Sequence, residues 1–203
     1  MIVDQRKGSS MENLRQRAAD VAGSVCAPES PVVWGEGSLD SPVVFVGEAP
    51  AARETRDGRP FVGPAGRLLT RELEMVGIER ESVWMTNLVK CRPIAISRTG
   101  AIVNREPRRH EIDAWLPILE EELQILGPRL VVCLGAPAAR ALIRKDFAIT
   151  RERGELFDKP GGKHIMATFH PSYVLRAPAA GGTSQAELFR RDLSQVKRLL
   201  DQG

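Results

Sequence analysis

An α/β fold, with a mostly parallel sheet covered by helices on both faces, is what this sequence predicts. Two observations carry that expectation. Four short strand-like runs alternate with segments of helical apolar spacing. Two of the runs, residues 42–46 (PVVFV) and 130–134 (LVVCL), are apolar almost throughout, as strands buried on both faces must be. The 203 residues suit one domain with a full core. A single domain over 1–203 is expected, with residues 1–30 forming an N-terminal helix and a connector.

The elements follow in order. Residues 9–22 read as a helix, with Ser9 or Ser10 as its cap and Leu14, Ala18 and Val21 at helical spacing. Residues 23–31 (GSVCAPESP) are a Gly/Ser/Pro connector. The first strand is 42–46 and the second 82–86 (SVWMT). Between them Leu69, Leu73 and Val76 mark a helix that Gly77 stops. Ile112, Leu116, Leu119, Leu123 and Leu126 mark another, in which Pro117 is tolerated if it falls in the first turn. The third strand, 130–134, leads into a short helix from Pro137 to Ile143, where proline suits the first position. The fourth strand is 164–169 (HIMATF), and Phe189, Leu193, Val196 and Leu200 mark the last helix.

Composition narrows the function. The chain is 42% hydrophobic and 27% charged, ordinary for a folded soluble protein. No apolar run reaches the roughly 20 residues of a membrane span. The N-terminus lacks an apolar signal core, and Cys26, Cys91 and Cys133 are too few and scattered for a disulfide framework. A reducing, cytoplasmic setting is therefore expected. No heptad or edge signal suggests an oligomer, so a monomer is expected. The net charge is only +3, but its distribution is uneven. Lys90, Arg92, Arg98, Arg105, Arg108 and Arg109 crowd one stretch, which runs into an acidic helix carrying Glu111, Asp113, Glu120, Glu121 and Glu122. Helix-dipole complementarity accounts for the first acids; the basic run reads as a phosphate-contacting loop.

In parallel α/β sheets ligands bind beyond the carboxyl ends of the strands. After the first strand stand Gly47, Glu48 and Ala49; after the second, Asn87; after the fourth, His170-Pro171-Ser172. A carboxylate, an amide and an imidazole supply a general base, a two-way hydrogen-bonding group and an electrophile. Singly, Glu48 reads as a helix-start residue, Asn87 as a turn former, and His170 as an extended residue before proline. Their convergence on one rim favours chemistry. The segment 57–66 (DGRPFVGPAG) is a tight, stiff loop whose single aromatic, Phe61, is either a core anchor or a stacking platform for a flat ligand. No dinucleotide fingerprint, Walker loop, zinc pattern or nucleophile elbow occurs.

Taken together, GEAPAARETRDGRPFVGPAGRLL (47–69), TNLVKCRP (86–93), NREP (104–107), LVVCLGAPAARALI (130–143) and HPSYVLR (170–176) resemble the uracil-DNA glycosylase superfamily, nearest to its family-4 branch. The resemblance covers most of residues 35–176. It implies a three-layer α/β/α sandwich around a central four-stranded parallel sheet. It also implies hydrolysis of the N-glycosidic bond of deoxyuridine in DNA, with the base flipped out of the stack. The expected partner is DNA containing uracil or an abasic site.

Roles follow from the matched positions. Glu48 and His170 would be catalytic, the first positioning water and the second donating to uracil O2. Gly47, Ala49, Phe61 and Asn87 would bind the base, with Phe61 stacking and Asn87 reading the O4/N3 edge. Gly63, Gly66 and Ser172 would hold phosphates. Leu175 and Arg176 would wedge the gap in the DNA, and Arg98 and Arg105 would contact its backbone. Three departures qualify the match. Family-4 enzymes carry an iron–sulfur cluster on four cysteines. Here only Cys91 matches, with Trp115 at the place of a ligand, so no cofactor and no metal are expected. Trp115 is expected to fill the vacated volume. Ala51 replaces a glycine, which strains the chain if that position needs positive φ. Residues 94–103 lengthen a loop on which a related branch carries a crosslinking histidine. No histidine stands here, so covalent capture is not expected, and the basic loop would grip an abasic product instead. The alternatives are a glycosylase of wider range, a non-catalytic binder of damaged DNA, and an α/β domain acting on free nucleosides.

Overall fold

The structure is a computed structural model that describes residues 2–177 and 183–202, with the backbone alone described for 2–4. Among the described residues, eight strands and eight α-helices follow one another. α1 spans Ile2–Val25, β1 Glu36–Gly37, β2 Val43–Gly47, α2 Ala52–Asp57, α3 Pro64–Met75 and β3 Trp84–Asn87. A ribbon follows, β4 (Ile94–Ile96) and β5 (Ile102–Asn104), then α4 (Arg109–Leu126). The rest is β6 (Leu130–Leu134), α5 (Ala136–Leu142), α6 (Ile149–Glu152), β7 (Leu156–Lys159), β8 (Lys163–Thr168), α7 (Pro171–Arg176) and α8 (Gln185–Asp201).

The main sheet has the order β1-β3-β2-β6-β8-β7. Its four inner strands are parallel, and these are the four runs read from the sequence. The sheet is wider than the expected four, because β1 and β7 add antiparallel edges. Both edges are short and largely polar, so no apolar run announces them. β2 shows how the layers form. Its side chains alternate, so Val44 and Val46 enter an apolar cluster with Leu14, Trp115 and Leu119 from α1 and α4. Val43 and Phe45 enter the opposite cluster, with Leu69 and Leu73 of α3 and Phe189, Leu193 and Val196 of α8. This gives an α/β/α sandwich with two buried apolar layers.

Several boundaries differ from the sequence reading. α1 begins seven residues before Ser9, so neither Ser9 nor Ser10 caps it. Pro117 lies well inside α4 rather than in its first turn. The proline removes a bond to the carbonyl of Asp113, an exposed residue whose carbonyl can turn to water. Residues 80–82 form a 3-10 turn, so β3 starts at Trp84. The longer loop is a hydrogen-bonded ribbon with Ile96 opposite Ile102. Cys26 and Cys91 are joined in a disulfide, against the expectation of scattered free thiols. A count of cysteines along the chain does not show that the fold brings these two together.

The charge asymmetry also has an internal explanation. Three of the six basic side chains pair with the acidic helix: Lys90 with Glu122, Arg105 with Glu111 and Arg109 with Asp113. Lys90 and Glu122 are fully buried, and Glu122 also accepts from Trp84 Nε1 at 2.9 Å and Thr86 Oγ1 at 3.1 Å. The carboxylate is thus enclosed by three donors, which is how a buried charge is made tolerable. Burial pushes the Lys90 ammonium below the usual lysine range, opposed by Glu122.

Candidate active site

The cleft lies at the carboxyl ends of β2, β3 and β8. Glu48, Phe61, Asn87 and His170 line it together, joined by Ala49, Gly63, Gly66, Ser172 and Arg176. β2 and β3 run in register with Gly47 beside Asn87. Beyond them Leu88 N–H bonds to Gly47 O at 2.9 Å and Val89 N–H to Glu48 O at 3.0 Å. The two strand ends therefore stay together past the sheet, which holds Glu48 and Asn87 side by side.

Phe61 has φ of 55°, the one non-glycine residue with positive φ among those described. Such backbone costs about 1–2 kcal/mol and persists only where surroundings enforce it. The enforcement is visible. Arg80 donates to Pro60 O at 2.7 Å and Phe61 O at 3.4 Å. The buried Glu54 carboxylate accepts Gly63 N–H at 2.6 Å. A Cβ at Gly66 would stand 1.9 Å from Phe61 O, so the first turn of α3 can pack against the loop only with glycine at that position. The ring reaches back to the strand end, where a Cβ on Gly47 would meet Phe61 Cζ at 2.5 Å and Asn87 Oδ1 at 2.4 Å. Gly47 thus lets the ring and the amide close on the same point. Arg80 and Glu54 were not anticipated; the only signal was their charge beside a stiff Gly/Pro loop.

Burial pushes the Glu48 carboxyl up to about 7, and the negative Glu106 beside it adds to the rise. Its carboxylate makes no hydrogen bond to the described residues. Burial pulls the His170 imidazole down to about 4, helped by the positive Arg176. His170 is therefore neutral at pH 7. Its Nδ1 accepts the Ser172 backbone N–H at 3.1 Å and lies 2.7 Å from Ser172 Oγ. With Nδ1 accepting, the single ring proton sits on Nε2. Asn87 is buried, and its amide has no partner among the described residues. The site thus combines an aromatic face, a free amide, a neutral imidazole donor and a carboxyl poised near neutrality.

The remaining candidate residues divide. Gly63 N–H is taken by Glu54, while Gly66 sits in the first turn of α3, where helix amides lack internal partners. Ser172 is engaged with His170, and Leu175 is exposed on α7 beside Arg176. Arg105 lines the cleft but grips Glu111 through two bonds of 2.6 and 2.7 Å. Arg98 stands at the exposed tip of the β4–β5 ribbon, away from the cleft lining. Ala51 has φ of −104° and ψ of −173°, an extended geometry that alanine adopts without strain. The iron–sulfur cluster that the resemblance would bring does not fit these residues. Cys26 and Cys91 are bonded to each other, and Cys133 is buried in β6. No group of three or more His, Cys, Asp or Glu able to hold a metal occurs among the described residues. Trp115 is fully buried in the cluster that contains Cys91, edge-on to Trp34 at 6.4 Å.

Comparison with known proteins shows which family the chain belongs to. The family model of the uracil DNA glycosylase superfamily matches residues 34–195. A type-4 uracil-DNA glycosylase of Thermotoga maritima is 46% identical over 146 residues, covering 71% of this chain and 72% of that protein. One from Pyrobaculum aerophilum is 40% identical over 180 residues, covering 83% and 86%. A crystal structure of SMUG2 from Pedobacter heparinus superposes with a TM-score of 0.55 at 14% identity, over 81% of this chain and 77% of that one. That last likeness concerns the fold alone.

Proposed function

The chain belongs to the uracil DNA glycosylase superfamily, and we propose that it removes uracil from DNA by hydrolysing the N-glycosidic bond of deoxyuridine, leaving an abasic site. The activity follows from family membership and the type-4 relatives; the chemistry is argued from the cleft. The observation that carries it is the meeting of Glu48, Phe61, Asn87 and His170 in one pocket.

A uracil extruded from the stack lies on the Phe61 ring. Asn87 offers its amide N–H to O4 and its carbonyl to the N3 proton. Cytosine presents a donor at position 4 and an acceptor at N3, so with the amide held in this orientation both groups would be left unpaired. As the bond between C1′ and N1 breaks, its electron pair passes to the base and spreads onto O2. The Nε2–H of His170 donates to that oxygen. One preorganised donor of this kind is worth about 3–4 kcal/mol. The neutral ring suits this role, because it supplies a hydrogen bond without surrendering a proton. Water then attacks C1′ from the Glu48 side, and the ionised carboxylate takes its proton. Ser172 holds the imidazole tautomer, while Arg176 and the first-turn amides of α3 face the phosphates. Leu175 fills the space the base leaves. The whole chain acts as one domain and as a monomer.

The test is cleavage of a labelled single-uracil oligonucleotide, single- and double-stranded, after alkaline workup. Cleavage at uracil and not at cytosine is expected. Retained binding to abasic DNA without cleavage would instead make the protein a damage binder.

A further inference from the structure

Seven large apolar side chains are exposed among the described residues, and five of them sit on two elements. Tyr173 and Leu175 are on α7, which carries one side of the cleft. Ile96, Ile102 and Val103 are on the β4–β5 ribbon, whose base residues Pro93 and Asn104 line the other side. Ile96 and Ile102 are directly opposed across the ribbon, and they are 77% and 51% exposed. Exposed branched side chains concentrated in this way mark a contact surface.

The ribbon is held stiffly. A two-stranded ribbon is marginal by itself. Here Arg105, clamped on Glu111 of α4, donates through Nε to Ile94 O at 2.9 Å, and Arg92 Nε donates to Asn104 Oδ1 at 2.6 Å. At the tip, Ser97 N–H bonds to Ala101 O at 2.8 Å and Ser97 Oγ accepts Ala101 N–H at 3.1 Å. Arg105 is therefore a buttress that ties the base of the ribbon to α4. The ribbon carries Arg98 at its exposed tip and no acidic residue from Ile94 to Asn104. Its one charge is positive, which suits a polyanion.

We propose that the β4–β5 ribbon is a DNA-docking prong, laying Ile96 and Ile102 against the duplex that flanks the extruded uracil while α7 covers the opposite flank. The proposal rests on the glycosylase reading. It adds a contact with paired DNA outside the base pocket. A groove of B-form DNA admits a two-stranded ribbon, and branched apolar side chains meet sugars and base edges there.

The double variant Ile96→Ser/Ile102→Ser tests it. Both residues are exposed, so circular dichroism and the melting temperature should match the parent. KM for a short duplex with one uracil should rise about tenfold at unchanged kcat, while cleavage of a short single strand stays the same. Binding of a uracil-free duplex, read by fluorescence anisotropy, should weaken by a similar factor. Unchanged values with both DNAs would overturn the proposal. So would an equal loss on duplex and single strand, which would make the ribbon part of the pocket. A parent that sediments as a dimer, with a monomeric variant of unchanged KM, would assign the face to a second copy. A parent that cleaves nothing sinks the glycosylase reading, and the uracil-free duplex still decides the role of the ribbon.

Discussion

Replacing Gly47 by alanine tests the central claim that Phe61 and Asn87 close on one point. The new Cβ would stand 2.5 Å from Phe61 Cζ and 2.4 Å from Asn87 Oδ1. Carbon atoms rest comfortably at about 3.5–4.0 Å, so the ring must retreat by about 1 Å or the strand end must shift. The ring has little freedom, since Arg80 and Glu54 fix the loop behind it. Overpacking of this kind costs about 1–3 kcal/mol of stability, which a folded domain survives. A displacement of about 1 Å in a positioning group costs roughly 10²-fold in rate, or about 2.7 kcal/mol of transition-state stabilisation. Single-turnover cleavage of a uracil-containing duplex measures the rate, and urea unfolding measures the stability. A folded Gly47→Ala protein that cleaves within about threefold of the parent would refute the reasoning.

Other outcomes follow from the same geometry. Because the Glu48 carboxyl is pushed up to about 7, kcat/KM should climb with pH through that value; Glu48→Gln should lose about 10²–10⁴-fold in kcat, and Glu106→Gln should move the climb to lower pH by removing a neighbouring negative charge. The same shift has a stability sign: the folded state holds this proton more tightly than the ordinary 4.5, so the contribution present below 4.5 is lost as pH rises towards 7, which urea melts at several pH values would show. Lys90→Met leaves Glu122 buried without its cation and should cost about 3–5 kcal/mol in urea unfolding, with Lys90→Met/Glu122→Gln recovering part of it, since the amide removes the buried charge and keeps an acceptor for Trp84 and Thr86; equal stability of the single variant and the parent would contradict the buried pair. Cys26–Cys91 closes a loop of 65 residues, so reduction by dithiothreitol should lower stability by about 2–4 kcal/mol while cleavage persists; mass spectrometry after alkylation without reductant should find Cys26 and Cys91 unalkylated.

The inner sheet was legible because strands buried on both faces need uninterrupted apolar residues, and PVVFV and LVVCL can hardly be anything else. The rim followed from the rule that loops after parallel strands share one edge. Glu48, Asn87 and His170 therefore came together from their positions alone. The edges were not legible. β1 has two residues, and β7 (LFDK) is mostly exposed, so both depend on backbone pairing that composition does not record. Charge misled in one respect. A basic run beside an acidic helix looks the same in sequence whether it neutralises that helix or a phosphate, and Lys90 and Arg105 do the former. The supports of Phe61 were hidden for a similar reason: Arg80 and Glu54 act through backbone atoms of a loop whose course only the fold reveals.

The pairing of β2 with β6 has a kinetic consequence. It sets Val43 against Leu130 and Val46 against Cys133, joining two distant halves of the chain. Glu48, Phe61 and Asn87 lie before that seam, and His170 and Ser172 lie after it. Closing so long a loop comes at an entropic cost before any contact rewards it, and parallel pairing of remote segments is slow. A growing chain therefore displays an aromatic face and a free amide well before it owns an imidazole. Until the last third has been made and docked, it holds half a pocket, and the two groups of cleft residues meet only with the closure of the sheet.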